Sequence, residues 1–319
     1  MAVRRDLLQA AAASALSTAL PALSALPALA LLPGAASAAR PARGTPSAAA
    51  PPEPTTVVYP RHLPQQDRQV DYFISLLHAA LQRSGTRYAL VQTKSEMVQS
   101  RALLEMASDD PGIDVFWTMT DPQREKTLLP IRVPLDRGLI GWRLCLTRAA
   151  DRDRLRDIRD VKDLARLTAG QMHDWPDTAV LRANGLPVQV STHYQGLFQM
   201  LSAGRFDYFP RSIFEIDSEL ASFAEQQLVI DPYLLLHYPA ALYMFVRPGR
   251  PRLAADLTRG MNALVADGTF ERLSRQIFGD LLQRHRIDQR RVLRLSNPLL
   301  PAQTPLDRKA LWWPLPGSR

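Results

Sequence analysis

Leu103-Leu-Glu-Met106-Ala-Ser-Asp-Asp-Pro111-Gly112-Ile-Asp114-Val-Phe-Trp117-Thr118-Met-Thr120-Asp-Pro-Gln-Arg124 is the stretch that decides the fold. It runs from an apolar helix end through an Asp-Asp-Pro-Gly turn into a β-rich run, and then into a polar segment that ends on arginine. About 90 residues later a related unit follows. Leu197-Phe-Gln-Met200 leads through Gly204 to Phe206-Asp207-Tyr208-Phe209, again a helix, a glycine turn and a strand with Asp second. Two such units predict two lobes of like construction.

Outward from the first unit, Thr55-Thr-Val-Val-Tyr59 reads as a strand. Val70, Phe73, Ile74, Leu77 and Leu81 mark one face of a helix that Gly85 stops. Tyr88-Ala-Leu-Val91 is a second strand. Strands alternating with helices predict α/β architecture with parallel sheets covered by helices. Downstream, Ala241-Leu-Tyr-Met-Phe-Val246 is strongly β-like, and Leu253, Leu257, Met261 and Leu264 begin a final helical pair. The Arg/Asp-rich run from Arg148 to Arg166 predicts a solvated helix with ion pairs four residues apart. It carries no interleaved aromatics, so nucleic acid is not expected as a partner.

The chain has 319 residues, of which 46% are hydrophobic and 22% charged, enough to bury a sizeable core. Its 39 Lys and Arg against 31 Asp and Glu leave a formal charge of +8, which suits acidic or anionic partners without dictating a fold. A single cysteine, Cys145, excludes an intrachain disulfide framework, and it sits in an apolar run where packing is the expected role. The six histidines lack metal spacing, so no metal and no cofactor are expected.

Arg4-Arg5, an Ala/Leu-rich middle and Ala36-Ser-Ala38 are the parts of a signal peptide over 1–38. The paired arginines fit either twin-arginine export or general secretion. Residues 39–54, rich in Ala, Pro, Ser and Arg, read as a disordered leader.

Thr118-Met-Thr120-Asp-Pro-Gln-Arg124 is similar to the Thr-x-Thr-x-x-Arg segment of the family 3 extracellular solute-binding proteins, with one residue more between Thr and Arg. The ending Met261-Asn-Ala-Leu-Val-Ala-Asp-Gly268-Thr-Phe270 resembles the same family. The likeness covers about 55–280. It implies a two-lobed periplasmic-binding-protein-like fold of type II, each lobe a mostly parallel sheet flanked by helices, joined by a two-strand hinge. Lobe 1 would comprise 55–143 plus 243–285 and lobe 2 would comprise 144–242, with an irregular tail over 286–319 anchored by Trp312 and Trp313. The crossings would lie near Trp142–Thr147 and Ala241–Phe245.

Ligands of such folds meet the loops after strands, where helix N-termini favour anions. Arg124 is the first candidate, since a guanidinium grips a carboxylate through two parallel bonds; an ion pair with Glu125 is the competing role. Thr118 and Thr120 would add donors, unless they are ordinary strand-end residues. Arg61 and Tyr59 would close the pocket by charge and stacking, with surface exposure and core packing as alternatives. Where amino-acid receptors place an aspartate in lobe 2, this chain has Arg211 and Ser212. Arg211 would then attract a second acidic group of the ligand. Glu215 would replace the aspartate, although Ser212-x-x-Glu215 has the spacing of a capping box. Trp175 would stack on ligand, while Asp177 would either contact it or cap the following helix.

With no Gly-x-Ser-x-Gly, P-loop or dinucleotide fingerprint, the chain is expected not to be an enzyme. The implied function is that of a periplasmic, monomeric, noncatalytic solute-binding protein closing on a small polar, anionic or amino-acid-like ligand, with an ABC transporter as membrane partner. A sensor or scaffold signalling to a membrane protein is the alternative, and a cell-wall-related enzyme the third.

Overall fold

Alternating apolar runs and glycine turns build a chain of strands and helices in the order expected. The computed structural model describes residues 53–61, 70–97 and 99–316, all within one compact unit, Pro51–Arg319. The expected signal peptide and nearly all of the leader lie outside the described residues.

Strand β1 (Thr55–Arg61) is followed by α1 (Val70–Gln82) and β2 (Tyr88–Glu96), and β1 pairs with β2 in parallel. Helix α1 buries Phe73, Leu76, Leu77, Ala80 and Leu81 along one stripe. Then come α2 (Gln99–Met106), β3 (Val115–Met119), α3 (Pro122–Thr127) and β4 (Leu129–Ile131). All five residues of β3 are buried, although β3 lies at one end of its three-stranded sheet. The second half contains β5 (Trp142–Arg148), α4 (Val161–Leu164), β6 (Ala169–Met172), α5 (Pro176–Ala183), β7 (Val188–Ser191), α6 (Tyr194–Ser202), β8 (Phe209–Ser212) and α7 (Ile216–Ser222). It continues through β9 (Leu228–Ile230), β10 (Leu234–His237), β11 (Leu242–Val246), α8 (Pro251–Ala266), α9 (Thr269–Arg284) and β12 (Arg291–Arg294). Gly260 of α8 stands where a Cβ would lie 2.0 Å from the Ala80 carbonyl, so the absence of a side chain lets α8 lie directly on α1.

The two related units use their aspartates alike. Asp114 accepts from the Val58 N–H at 2.9 Å while its own N–H donates to the Val58 carbonyl at 2.8 Å. Asp207 accepts from the Thr168 N–H at 2.8 Å and donates to the Thr168 carbonyl at 2.8 Å. Each carboxylate is also held by arginine, Asp114 by Arg247 and Arg250, Asp207 by Arg154. The repeated Asp therefore ties the incoming strand to its neighbour in both units.

Parallel pairs are present as expected in β1–β2, β6–β7 and β10–β12. The returning strands make the sheets mixed rather than mostly parallel. β11 runs antiparallel between β3 and β4, and β5 runs antiparallel to β8, β9 and β10. A strand that comes back from another sheet enters without a βα crossover, so nothing obliges it to run parallel.

β5 and β11 are interior strands of different sheets, and the chain passes between sheets just before each of them, earlier than the sequence suggested. The 3-10 turn Leu139–Gly141 and the stretch 238–241 run side by side, with the Tyr238 N–H donating to the Gly141 carbonyl at 3.1 Å. A Cβ on Gly141 would stand 2.0 Å from the Tyr238 carbonyl oxygen.

Two further expectations change. The Arg148–Arg166 run forms turns and the short α4, with pairs three residues apart such as Arg156–Asp153 and Arg166–Asp163, because Asp160 caps a new helix start and interrupts the run. The tail is not wholly irregular. β12 extends the sheet beside β10, with Leu293, Leu295 and Leu311 buried. Trp312 and Trp313 act as anchors. Trp313 N–H donates to the Arg137 carbonyl at 2.9 Å, and the Arg137 guanidinium lies 4.8 Å from the Trp313 ring centre.

Candidate functional site

Between the β3–α3 side and the β8, α5, α6 and α7 side lies a cleft of about 530 Å³, within the size range of small-molecule sites. A shallower mouth continues it between the starts of α3 and α5, sharing His173, Asp174, Trp175 and Pro176.

Arg124 lines the cleft, where the strand-end argument places it. Asp121 caps α3 by accepting from the N–H groups of Gln123 and Arg124, each at 2.8 Å, which aims the first turn at the cleft. The Arg124 guanidinium donates to the Met119 carbonyl at 2.5 Å and pairs with Asp121 at 3.2 Å, not with Glu125. Burial pulls its pKa below the ordinary value, against Asp121, Asp177 and Asp174, which support the charge. Thr118 also lines the cleft and donates to Gln99 at 2.8 Å.

Thr120, Arg61 and Tyr59 do not line the cleft. Thr120 is fully buried and donates to Glu125, which in turn holds Arg132, so both side chains are consumed in structure. The register of β1 against β2 shifts between Tyr59 and Arg61, leaving Arg61 exposed opposite Glu96. Tyr59 packs towards Trp117 at a ring separation of 6.5 Å.

On the other wall, Arg211 and its partners form one cluster. Its Nε donates to Glu219 Oε1 and Oε2 at 2.9 and 2.7 Å, and its Nη2 reaches Glu219 Oε1 at 2.5 Å and Glu215 Oε2 at 3.1 Å. The guanidinium lies 4.4 Å from the Trp175 ring centre, 5.0 Å from Phe209 and 5.9 Å from Tyr194. Burial opposes its charge, but Glu219 and Glu215 outweigh it and raise its pKa well above the ordinary value. The expectation that Arg211 attracts an acidic group of a ligand is therefore corrected: two carboxylates of the same chain already occupy it. Trp175 lines the cleft, with Arg211 covering one face of its ring.

Glu215 reaches the cleft with a quarter of its side chain exposed. The capping box is absent, because Ser212 belongs to β8 with its hydroxyl buried and without a partner among the described residues. Glu215 turns instead to Arg211, and burial raises its pKa against the pull of that guanidinium.

Asp177 does not cap α5, whose N-cap is Trp175. Its carboxylate meets Arg143 at 2.6 Å and accepts from the Tyr238 hydroxyl. Arg143 was not singled out from the sequence, and neither were Glu219 and Tyr194, whose hydroxyl donates to Glu219 at 2.5 Å. All three line the cleft. Burial disfavours the Arg143 charge, and Asp177, Tyr238 and Glu215 more than restore it. The cleft thus sets Arg124, Arg143 and Arg211 against Asp174, Asp177, Glu215 and Glu219, a balance with one carboxylate in excess. It is not the anion trap that two free arginines would make.

No family model matches the chain, and no curated protein matches it. Solved structures do. The probable amino-acid ABC transporter extracellular-binding protein ytmK of Bacillus subtilis is 18% identical with a TM-score of 0.50, over 72% of this chain and 100% of that one. The Bordetella pertussis BvgS VFT2 domain is 14% identical with a TM-score of 0.50, over 70% of this chain and 92% of that one. At these identities the likeness establishes architecture: the chain has the two-lobed, periplasmic-binding-protein-like α/β fold.

Proposed function

We propose that the chain is an exported, noncatalytic solute-binding protein that closes its cleft on a small amino-acid-like zwitterion. In this reading lobe 1 comprises 55–143 plus 243–285 and lobe 2 comprises 144–242, and a membrane transporter reads the closed form. The observation that carries the proposal is the charge arrangement across the cleft. Arg124 suits a ligand carboxylate, while Glu215 on the facing wall suits an ammonium group. The fold shared with ytmK supports a binding role. Thermal-shift measurement with amino acids, dicarboxylates and short peptides tests it, since a ligand that binds only the native state raises the melting temperature. A stabilising amino acid whose effect disappears in Arg124→Ala supports the proposal. An unchanged shift in that variant removes Arg124 from the site.

A second reading, a sensor or scaffold domain, is favoured by the tail. It pairs β12 with β10, donates from Asn297 to the Pro239 carbonyl at 2.8 Å, and accepts from Arg137 at the Trp312 carbonyl, so it bridges the segments where the chain changes sheets. Such a strap suits a domain whose closure is restrained and read out by a neighbour. Crosslinking to a membrane protein, with ligand affinity unaffected by that protein's removal, separates the two.

A further inference from the structure

We infer that Glu219 determines specificity by cancelling Arg211 from within the wall, so that the cleft rejects acidic ligands and takes a zwitterion with an uncharged, apolar side chain. This rests on the solute-binding reading and narrows its ligand. Arg211 is 4% exposed, and its Nε and Nη2 are engaged by Glu219 while three aromatic rings surround it. Glu219 is also 4% exposed, so solvent screens little of its charge.

Without Glu219, Arg211 would be left with Glu215 alone, the net negative charge of the cluster would be lost, and an acidic side chain would no longer be repelled. With it, the cluster of one guanidinium and two carboxylates is negative, and Glu215 is its most exposed member. A glutamate-like ligand would bring a second carboxylate against that charge, which is the repulsive half of a specificity device. Once a ligand ammonium has met Glu215, and Asp177 has met Arg143, the remaining carboxylate is Asp174, exposed at the mouth of the cleft, and no buried partner is left for a cationic side chain. What remains is an apolar and adaptable surface: Met97, Phe116, Ile140, Met172, Phe214 and Leu242 all line the cleft. Methionines in such a wall fit aliphatic, aromatic and thioether groups by changing rotamer.

The experiment is calorimetric titration of the exported, full-length mature protein with leucine, methionine, phenylalanine, glutamate, arginine and succinate, followed by the same panel on Glu219→Gln. The wild type is expected to bind one of the first three at least about tenfold more tightly than glutamate, and the variant is expected to bind glutamate about tenfold more tightly than the wild type does. Glutamate, succinate or arginine as the tightest wild-type ligand overturns the inference while leaving the solute-binding reading in place. A folded variant with unchanged or weaker glutamate affinity overturns it too. Should Glu219→Gln fail to fold by near-ultraviolet circular dichroism, the wild-type panel decides alone. A panel without any binder removes the underlying reading and this inference with it.

Discussion

Replacing Asp177 by leucine perturbs a deeply buried charge pair at the cleft. Arg143 and Asp177 are 3% and 8% exposed at their side chains and meet at 2.6 Å. Arg143 Nε donates to the Tyr238 hydroxyl at 2.8 Å, and that hydroxyl donates to Asp177, so a closed triangle satisfies all three groups. In Asp177→Leu the nearest remaining carboxylate to Arg143 is Glu215 at 3.9 Å, itself shared with Arg211. A buried guanidinium that loses its partner costs about 3–5 kcal/mol, most of it the cost of a charge left without compensation. For a domain of this size that corresponds to a melting temperature lower by about 10 °C. Guanidinium denaturation followed by tryptophan fluorescence measures it. The control is the charge-free pair Arg143→Met with Asp177→Leu, which removes the orphaned cation and is expected to recover more than half of the loss. A single variant within about 1 kcal/mol of the wild type would refute the claim that these charges depend on one another.

Gly141→Ala forces a Cβ against the Tyr238 carbonyl, and the two connecting segments must part; a loss of about 1–3 kcal/mol is expected by denaturant titration, and an unchanged midpoint contradicts the close approach. Burial pushes Asp136 up to about 7, against the N–H groups of Ile140 and Gly138 and the charge of Arg143. The folded chain therefore holds this proton more tightly than the unfolded one, and its contribution to stability is lost as pH rises from about 4 through 7. Asp136→Asn is expected to flatten the fall in stability between about pH 4 and 7 by on the order of a few kcal/mol; the same slope in both proteins contradicts the assignment. Trp312→Ala, which loses the bond from its indole N–H to the Pro305 carbonyl at 2.9 Å and the cover over Gly138, is expected to cost about 2–3 kcal/mol in the same titration, and no change means that the tail does not anchor there.

Periodicity and glycine turns made much of the architecture legible. The stripe of α1, the buried β3 and the paired Asp units could be read because each is a local signal repeated at a fixed offset. The strand-end argument found Arg124 and Thr118 because the C-terminal end of β3 opens on the cleft. It failed for Arg61 because β1 shifts register before its end, which no local pattern announces. Glu215 and Asp177 were readable as candidates, but capping signals competed with a site role, and only the placement of Arg211 beside Glu215 and of the distant Arg143 beside Asp177 decided between them. Arg143 pairs with Asp177 34 residues on and Tyr238 95 residues on, so its role exists only in space. The signal that could have found it was chemical: an arginine inside Trp142-Arg-Leu-Cys-Leu146, a run otherwise fit for full burial. Glu219 lies between apolar positions of α7 and was not singled out, although its carboxylate is what neutralises Arg211.

Native mass spectrometry of protein purified gently from its exporting host tests the central claim most directly. The account predicts a single retained molecule of amino-acid mass per chain in the wild type and none in Arg124→Ala. A wild type that carries no small molecule and takes up none of the amino acids offered to it, or a variant that retains the same mass equally well, would contradict the account.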